Sequence, residues 1–308
     1  MSHRFRPHLA LVTVQVLFGT WPIMGKIVLR SMSVTSLVTC RLVGGALAFA
    51  LLQHQLKPLL KMPRRDFALL VLCSVCGVVG NQLLYVKALS LTTVINAALL
   101  TATIPVITLF VSILFRYDTW SLKRLGGILL AGAGVVYLIN PTQAELTHET
   151  TLGNLLLLCN GLLYAIYLVI SKRLLERYGA LNVITWIFLV SAVMVVPLGF
   201  YSFGNENVAA IGWTVWLLVG VVILLPTVSA YYLNAWALQH VSPGVAAIYI
   251  YLQPLIAFGF APLFLGERWS SRATVATLLI FAGVALVTTP GRSRAVKEIS
   301  EHPDALAH

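Results

Sequence analysis

Long runs of apolar residues alternate with short polar breaks along the whole chain. Ten of these runs approach the ~20 residues that an α-helix needs to cross a bilayer. They lie at about 9–29, 34–52, 67–89, 94–115, 123–139, 152–171, 181–201, 212–236, 245–265 and 272–289. The breaks between them, such as KMPRRD and HVSPG, carry residues that end helices. Because only a helix satisfies its own backbone hydrogen bonds in lipid, the pattern predicts an all-α integral membrane protein with ten transmembrane helices.

A repeated sequence links the two halves of the chain. LFRYDTWS at residues 114–121 returns as LFLGERWS at residues 263–270, an offset of 149 positions. The same offset, without a gap, pairs Pro105 with Pro254, Trp120 with Trp269, Gly134 with Gly283, and Pro141 with Pro290. We therefore predict two five-helix repeats, at residues 1–141 and 152–290, followed by a disordered cytoplasmic tail at 291–308.

The odd number of helices in each predicted repeat has a consequence for its orientation. A second copy of five helices must enter the membrane in the opposite direction to the first. Inverted repeats of this kind, related by an axis in the membrane plane, are a recurrent design of secondary transporters. The sequence therefore predicts transport by alternating access, in which the two copies exchange conformations around a central site.

The distribution of Lys and Arg predicts which face is cytoplasmic. If the N-terminus lies in the cytoplasm, fifteen of these residues near helix ends fall on the cytoplasmic side, and only Arg30, Arg268 and Arg272 fall outside. Cytoplasmic loops of membrane proteins carry an excess of Lys and Arg. We therefore expect a multi-pass protein of the cell (inner) membrane with both termini in the cytoplasm.

Composition narrows the partners and the class of function. Hydrophobic residues make up 59% of the chain and charged residues only 10%, against about 25% charged residues in soluble domains. The net charge of +11 comes from residues in the breaks, so the lipid bilayer is the expected partner and nucleic acid is not. The chain shows no phosphate-binding loop and no catalytic grouping, and Cys73 and Cys76 lack a second ligand pair. We predict no enzyme activity, no cofactor and no metal; an intramembrane enzyme or a channel is a less favoured alternative.

Both halves also share a motif of an apolar helix with a proline, then an acidic residue and a glycine-rich helix. Its members are Pro105, Asp118 and Gly134 in the first half, and Pro254, Glu267 and Gly283 in the second. With FGTWPIMGK at residues 18–26 and with Arg41, the motif resembles the EamA-type branch of the drug/metabolite transporter superfamily. Asp118 departs from the more usual Gly-Glu of that family. The resemblance implies export of amino acids or related metabolites through a cavity lined by helices 1, 3, 4, 6, 8 and 9.

Two prolines suggest where a solute binds. Pro105 and Pro254 lie about midway along the fourth and ninth predicted helices. Each lacks an amide donor and frees a carbonyl one turn earlier. Interrupted helices at corresponding positions of two repeats point to the substrate site of a transporter, although a plain kink is the simpler explanation. We expect both prolines to serve as kinks that contribute to gating beside the site.

Polar and aromatic residues converge on the same depth of the predicted helices. The residues predicted to bind substrate are Trp21, Arg41, Asn81, Tyr85, Tyr164, Tyr167, Tyr231, Asn234, Tyr249 and Gln253. Such residues offer flat apolar faces and a few hydrogen bonds, which suits a small amphiphilic metabolite. Hydrogen bonding between helices is the alternative explanation for each of them taken singly.

Charges within the predicted spans are all positive. The ten acidic residues lie in loops, tails or helix ends, whereas Lys26, Arg41 and Lys87 fall within spans. Intramembrane charge is costly and marks function by default, although lysines near helix ends can reach the headgroups. Arg41 is the best candidate to pair with a substrate carboxylate. We predict an exporter of neutral or aromatic amino acids and related carboxylates, acting as a monomer or weak homodimer, with a multidrug or other metabolite efflux carrier as the alternative.

Overall fold

Helices account for all the regular structure in the residues that the computed structural model describes, which are 5–53, 62–92, 97, 100–139, 148–256 and 271–288. The main helices in chain order are α1 (Arg6–Val28), α2 (Val34–Leu52), α3 (Arg64–Leu91), α4 (Ile104–Leu114), α5 (Leu122–Ile139), α6 (His148–Tyr178), α7 (Ala180–Gly204), α8 (Trp213–His240), α9 (Pro243–Ile256) and α10 (Ser271–Thr288). Six of these, α1, α2, α3, α6, α7 and α8, are long and apolar enough to cross a membrane. The prediction of an all-helical membrane protein is confirmed at this level.

The end of α6 differs from the sequence-based prediction. Helix α6 continues to Tyr178, past the predicted end at residue 171. The apolar run ends at Lys172, but this lysine is itself buried in the protein, so its charge does not end the helix. Parts of the fourth and ninth predicted spans, Glu267 and the predicted tail at 291–308 lie outside the described residues.

Local sequence explains several of the helix ends. Ser33 precedes α2, and its hydroxyl accepts a hydrogen bond from the amide of Ser36. Ser242 does the same for the amide of Val245 at the start of α9. Serine at this position satisfies one of the amides that a helix leaves free at its first turn. Between α6 and α7, Gly179 adopts a φ of 83°, a left-handed conformation that allows an abrupt turn.

Two pairs of helices make the most extensive helix–helix contacts. Helix α2 packs along α7, and α5 packs along α10. The second pair approaches so closely that a Cβ atom on Gly283 would lie 2.5 Å from the carbonyl oxygen of Gly127. Small residues allow membrane helices to associate through extensive van der Waals contact.

Helices α3 and α8 each contain a π-helical segment. The segments are Val75–Val79 in α3 and Ile223–Ser229 in α8. Under the offset of 149 positions, residues 75–79 correspond to 224–228, which lie inside the second segment. A π-helical turn inserts an extra residue and changes the direction of the side chains that follow, and it occurs frequently at functional sites.

Pro105 follows a break between helical segments, whereas Pro254 lies within α9, after a 3₁₀ turn. Ala102 and Thr103 form a turn, and Pro105 is in the first turn of α4, so the prediction that it lies midway along one helix is wrong. Proline is favoured in a first turn because its missing amide would have no helical partner there. In α9, a 3₁₀ turn at Tyr249–Tyr251 comes shortly before Pro254.

Candidate functional site

A cavity lies among the irregular helices. Its empty volume, including its open mouth, is about 590 Å³. It is lined by Phe18, Trp21, Arg41, Asn81, Gln82, Tyr85, Thr101, Ile104, Asn160, Tyr164, Tyr231, Ile250 and Gln253. These residues come from α1, α2, α3, α6, α8, α9 and the segment around the start of α4, so the cavity is built from both halves of the chain.

Arg41 supplies positive charge to the wall of this cavity. It is only 2% exposed, and its Nε donates a hydrogen bond to the hydroxyl of Thr227 at 3.0 Å. Its guanidinium carbon lies 3.9 Å from the centroid of the Trp21 ring, a cation–π contact. Within the described part of the chain, no carboxylate forms an ion pair with Arg41. A guanidinium has five N–H donors, so it retains the capacity to bind an anionic group.

Aromatic and amide side chains complete the wall. Tyr231 accepts a hydrogen bond from Nε2 of Gln82 at 3.4 Å, and its hydroxyl donates to the carbonyl oxygen of Gly77 at 3.4 Å. Phe18 packs edge-on against the Tyr231 ring at a centroid distance of 5.8 Å. Asn160 donates to the backbone carbonyl of Asn81 at 2.7 Å. The cavity therefore presents flat apolar faces beside amide groups.

Three predicted site residues do not line the cavity. Tyr167 lies behind Tyr164 at a ring distance of 5.9 Å and is almost fully buried. Asn234 donates to the Tyr164 hydroxyl at 3.3 Å and so supports the wall from behind. Tyr249 turns away from the cavity, and its hydroxyl lies 2.7 Å from Nδ1 of His8. Tyr167 and Asn234 thus position Tyr164, whereas Tyr249 links α9 to the start of α1.

The other predicted residues reach the cavity or its neighbourhood. Those in its lining are Trp21, Arg41, Asn81, Tyr85, Tyr164, Tyr231 and Gln253. The lining residues outside the predicted binding set are Phe18, Gln82, Thr101, Ile104, Asn160 and Ile250. One available signal was the offset of 149 positions, which makes Gln82 the equivalent of Tyr231.

The two other basic residues within predicted spans have different surroundings. Nζ of Lys26 donates to the carbonyl oxygen of Thr92 at 3.0 Å, where α3 ends. Lys87 is exposed on the outer surface of α3. A lysine that binds the last carbonyls of a helix also offsets the negative end of the helix dipole. Of the three intramembrane bases, only Arg41 lines the cavity.

Polar contacts tie the helices together at the face where α1 begins. The Asp118 carboxylate accepts hydrogen bonds from the Ser112 hydroxyl at 2.6 Å and the Gly244 amide at 3.0 Å, and it pairs with Arg124. These contacts join the end of α4 to the start of α9. At the same face, Nζ of Lys172 donates to carbonyls at the end of α8. The helices on this side are therefore held together closely.

Metal binding finds no support in the described ranges, where no group of three or more His, Cys, Asp or Glu side chains comes together. Cys73 and Cys76 are buried on α3. Free cysteines in such surroundings behave as small packing residues.

The fold and the cavity together define a class, a multi-pass membrane protein with an internal cavity. The sequence profile of the EamA-like transporter family matches residues 6–140 and 151–289. This chain belongs to the EamA-like transporter family. The family is one of transporters, and the resemblance seen in the sequence is confirmed.

Curated relatives agree with this assignment. An uncharacterized transporter of Archaeoglobus fulgidus is 28% identical over 233 residues, covering 70% of this chain and 75% of its own. A WAT1-related protein of Arabidopsis thaliana is 24% identical over 99% of this chain and 88% of its own. A protein of Streptantibioticus cattleyicolor named a "probable terminal-alkyne amino-acid exporter" is 27% identical over 76% of this chain and 78% of its own.

A solved crystal structure shares the fold. It superposes with a TM-score of 0.75 over 92% of this chain and 97% of its own, at 18% sequence identity. At this identity the similarity establishes the fold alone.

Proposed function

We propose that this protein is a secondary transporter of the cell membrane that exports small carboxylated metabolites, with neutral or aromatic amino acids as the preferred class. The observation that carries this proposal is Arg41, a buried cation on the cavity wall without a carboxylate partner among the described residues. A guanidinium matches a carboxylate with two parallel hydrogen bonds, which are among the stronger interactions in proteins. A bound carboxylate would offset the positive charge during transport.

The rest of the wall suits the remainder of an amino acid. Trp21, Tyr85, Tyr164 and Tyr231 offer apolar faces, and side-chain amides lie beside them. A side-chain amide provides both an acceptor for an ammonium group and donors for a carboxylate. The relative named as an amino-acid exporter supports the same substrate class.

The transport cycle that we propose uses two inverted repeats of five helices, at residues 1–141 and 152–290. Contacts between equivalent positions support it. At one end of the α2–α7 pair, the Ser202 hydroxyl bonds the hydroxyls of Ser33 and Ser36 at 2.7 and 2.8 Å. The positions 149 residues away from these are Gln53, Asn182 and Thr185. At the other end of the same helix pair, the Gln53 side chain bonds those of Asn182 and Thr185.

The orientation that we propose places both termini in the cytoplasm. The face that carries the contacts of Asp118 and Lys172 is then cytoplasmic, and it is held closed by them. A solute in the cavity would leave from the opposite side. Export then requires these contacts to open and re-form in each cycle, as alternating access between inverted repeats implies.

Counterflow in proteoliposomes tests the proposed function. Vesicles loaded with unlabelled L-phenylalanine should take up labelled L-phenylalanine from outside in a saturable manner, because a carrier exchanges solute across the membrane. A channel would show no stimulation by solute on the opposite side, and an intramembrane enzyme would release a modified product. Absence of exchange for every amino acid and carboxylate tried, or a quaternary ammonium compound as the best substrate, would overturn the proposal.

A further inference from the structure

A second cavity adjoins the one that contains Arg41. It has an empty volume of about 560 Å³ including its mouth, and it lies between α1 and the interrupted helices α4 and α9. Its lining consists of Gly19, Pro22, Ile23, Tyr85, Ala97, Thr101, Ala102, Ile250, Tyr251, Gln253 and Pro254. Tyr85, Thr101, Ile250 and Gln253 line both cavities, so the two share a wall of individual side chains.

The two cavities differ in chemistry. The first contains Arg41 and several side-chain amides. The second has an aliphatic and aromatic lining whose polar groups are confined to Thr101, Gln253 and two tyrosine hydroxyls. A charged group placed in the second cavity would lose its hydration with few partners in return, which is unfavourable. An apolar group placed there would leave water without such a cost.

We propose that the second cavity is a subsite for the apolar side chain of the same solute whose carboxylate binds Arg41. This inference rests on the proposed function and adds a substrate class to it. The preferred solutes are amino acids and related acids with a bulky aliphatic or aromatic side chain, and small or polar amino acids are poor substrates. Because the two cavities share four lining residues, one solute can extend from the first into the second. We therefore assign the subsite to a part of that solute rather than to a separate ligand.

Small residues border this subsite on α1 and in the turn before α4. Gly19 and Ala102 are small, but their equivalents 149 positions later are Leu168 and Tyr251. Leu168 is buried among other helices, whereas Tyr251 forms part of the wall of this same second cavity. Ile23 likewise corresponds to Lys172, which is buried and bonded to the end of α8. The subsite therefore depends on the small residues at positions 19 and 102.

Ala102 is the most useful position for a test. It is half-buried in the turn before α4 and lines the second cavity, so we expect a larger side chain there to fill part of that cavity. Gly19 is less suitable, because a Cβ atom there would lie 3.2 Å from Cγ2 of Ile256 and 3.3 Å from the carbonyl oxygen of Gln253. Ala133, on an exposed face of α5, provides a matched control for adding a leucine to a membrane helix.

The experiment compares counterflow of labelled L-alanine and L-phenylalanine by the wild type, Ala102→Leu and Ala133→Leu. Filling the subsite should lower the transport efficiency for phenylalanine by about tenfold or more, with less than a twofold effect on alanine. Ala133→Leu should leave both unchanged. Ile23→Ala, which enlarges the subsite at a half-exposed position, should raise the efficiency for L-tryptophan relative to L-phenylalanine.

The outcomes separate this inference from the proposed function. If the wild type exchanges none of the amino acids and carboxylates tried, the proposed function fails and the subsite with it. If the wild type exchanges both, but Ala102→Leu affects them equally or not at all, the subsite is wrong and the transporter assignment stands. If Ala102→Leu does not fold, Ile23→Ala decides the question, because an unchanged ratio of tryptophan to phenylalanine transport overturns the subsite.

Discussion

Gln82 and Tyr231 are in direct contact, with Nε2 of the first donating to the hydroxyl of the second at 3.4 Å. They are 149 positions apart, which is the offset of the sequence repeat. Equivalent positions of two repeats related by a two-fold axis meet only where that axis passes between them. Both residues line the cavity. The contact fits the inverted repeats that we propose, whose two-fold axis would then pass through the cavity.

The first prediction concerns orientation. In a variant whose four native cysteines are replaced by alanine, a cysteine at Asn207 should react with a membrane-impermeant thiol reagent added to intact cells. A cysteine at Arg64 should react only after permeabilisation. Both positions are exposed, so differences in reactivity report the side of the membrane rather than burial. The reverse labelling pattern would reject the assignment of both termini to the cytoplasm.

A second prediction concerns the contact between α4 and α9. Asp118→Asn should lower the midpoint of thermal unfolding in detergent by several degrees, because Asp118 is buried and its charge is bonded to three groups. Glu176→Gln is the control: Glu176 also pairs with a base, Lys172, but its side chain is half-exposed. Exposed ion pairs contribute about 0–1 kcal/mol. Equal midpoints for the two variants would show that the Asp118 contacts contribute little stability.

The close contact between α5 and α10 leads to a third prediction. A Cβ atom on Gly127 would lie 2.7 Å from Cγ2 of Val287 and 2.8 Å from the carbonyl oxygen of Gly283, whereas one on Gly126 meets nothing within 4 Å. Gly127→Ala should therefore lower thermal stability. Gly126→Ala should leave it unchanged or raise it, since alanine favours helix by about 1 kcal/mol over glycine. Similar effects of both substitutions, measured by tryptophan fluorescence during heating, would argue against tight packing at Gly127.

The sequence predicted those features that depend on whether a residue lies in lipid or in water. Long apolar runs indicate membrane helices because lipid offers no partner for free backbone groups. Arg41 stood out for the same reason, since a charge at depth needs a special environment. The structure places it on the cavity wall beside Trp21.

Irregular helices explain two of the differences between prediction and structure, the misplaced Tyr249 and the missed Gln82. Tyr249 and Gln253 are four residues apart and share a face in a regular α-helix, but the 3₁₀ turn at Tyr249–Tyr251 has three residues per turn. The change of pitch turns Tyr249 towards His8, while Gln253 stays at the cavity. In α3, the π-helical segment precedes Asn81 and Gln82, and both line the cavity although they are adjacent in sequence. A fixed periodicity of 3.6 residues cannot anticipate these local changes.

The central prediction concerns the substrate carboxylate that we assign to Arg41. Inhibition of L-phenylalanine counterflow should be about tenfold to a hundredfold stronger with the free acid than with its amide, since hydrogen bonds to charged groups contribute about 1.5–3 kcal/mol. Arg41→Gln should remove this preference. Lys87→Gln, which removes an exposed base from a predicted span, should retain it.

The most direct measurement is therefore the ratio of inhibition constants for L-phenylalanine and its amide in wild-type and Arg41→Gln proteoliposomes. We expect a large ratio in the wild type and a ratio near one in Arg41→Gln, with the variant still folded and inserted in the membrane. A variant that loses affinity for acid and amide to the same extent would contradict it, because Arg41 would then support the structure without binding the carboxylate.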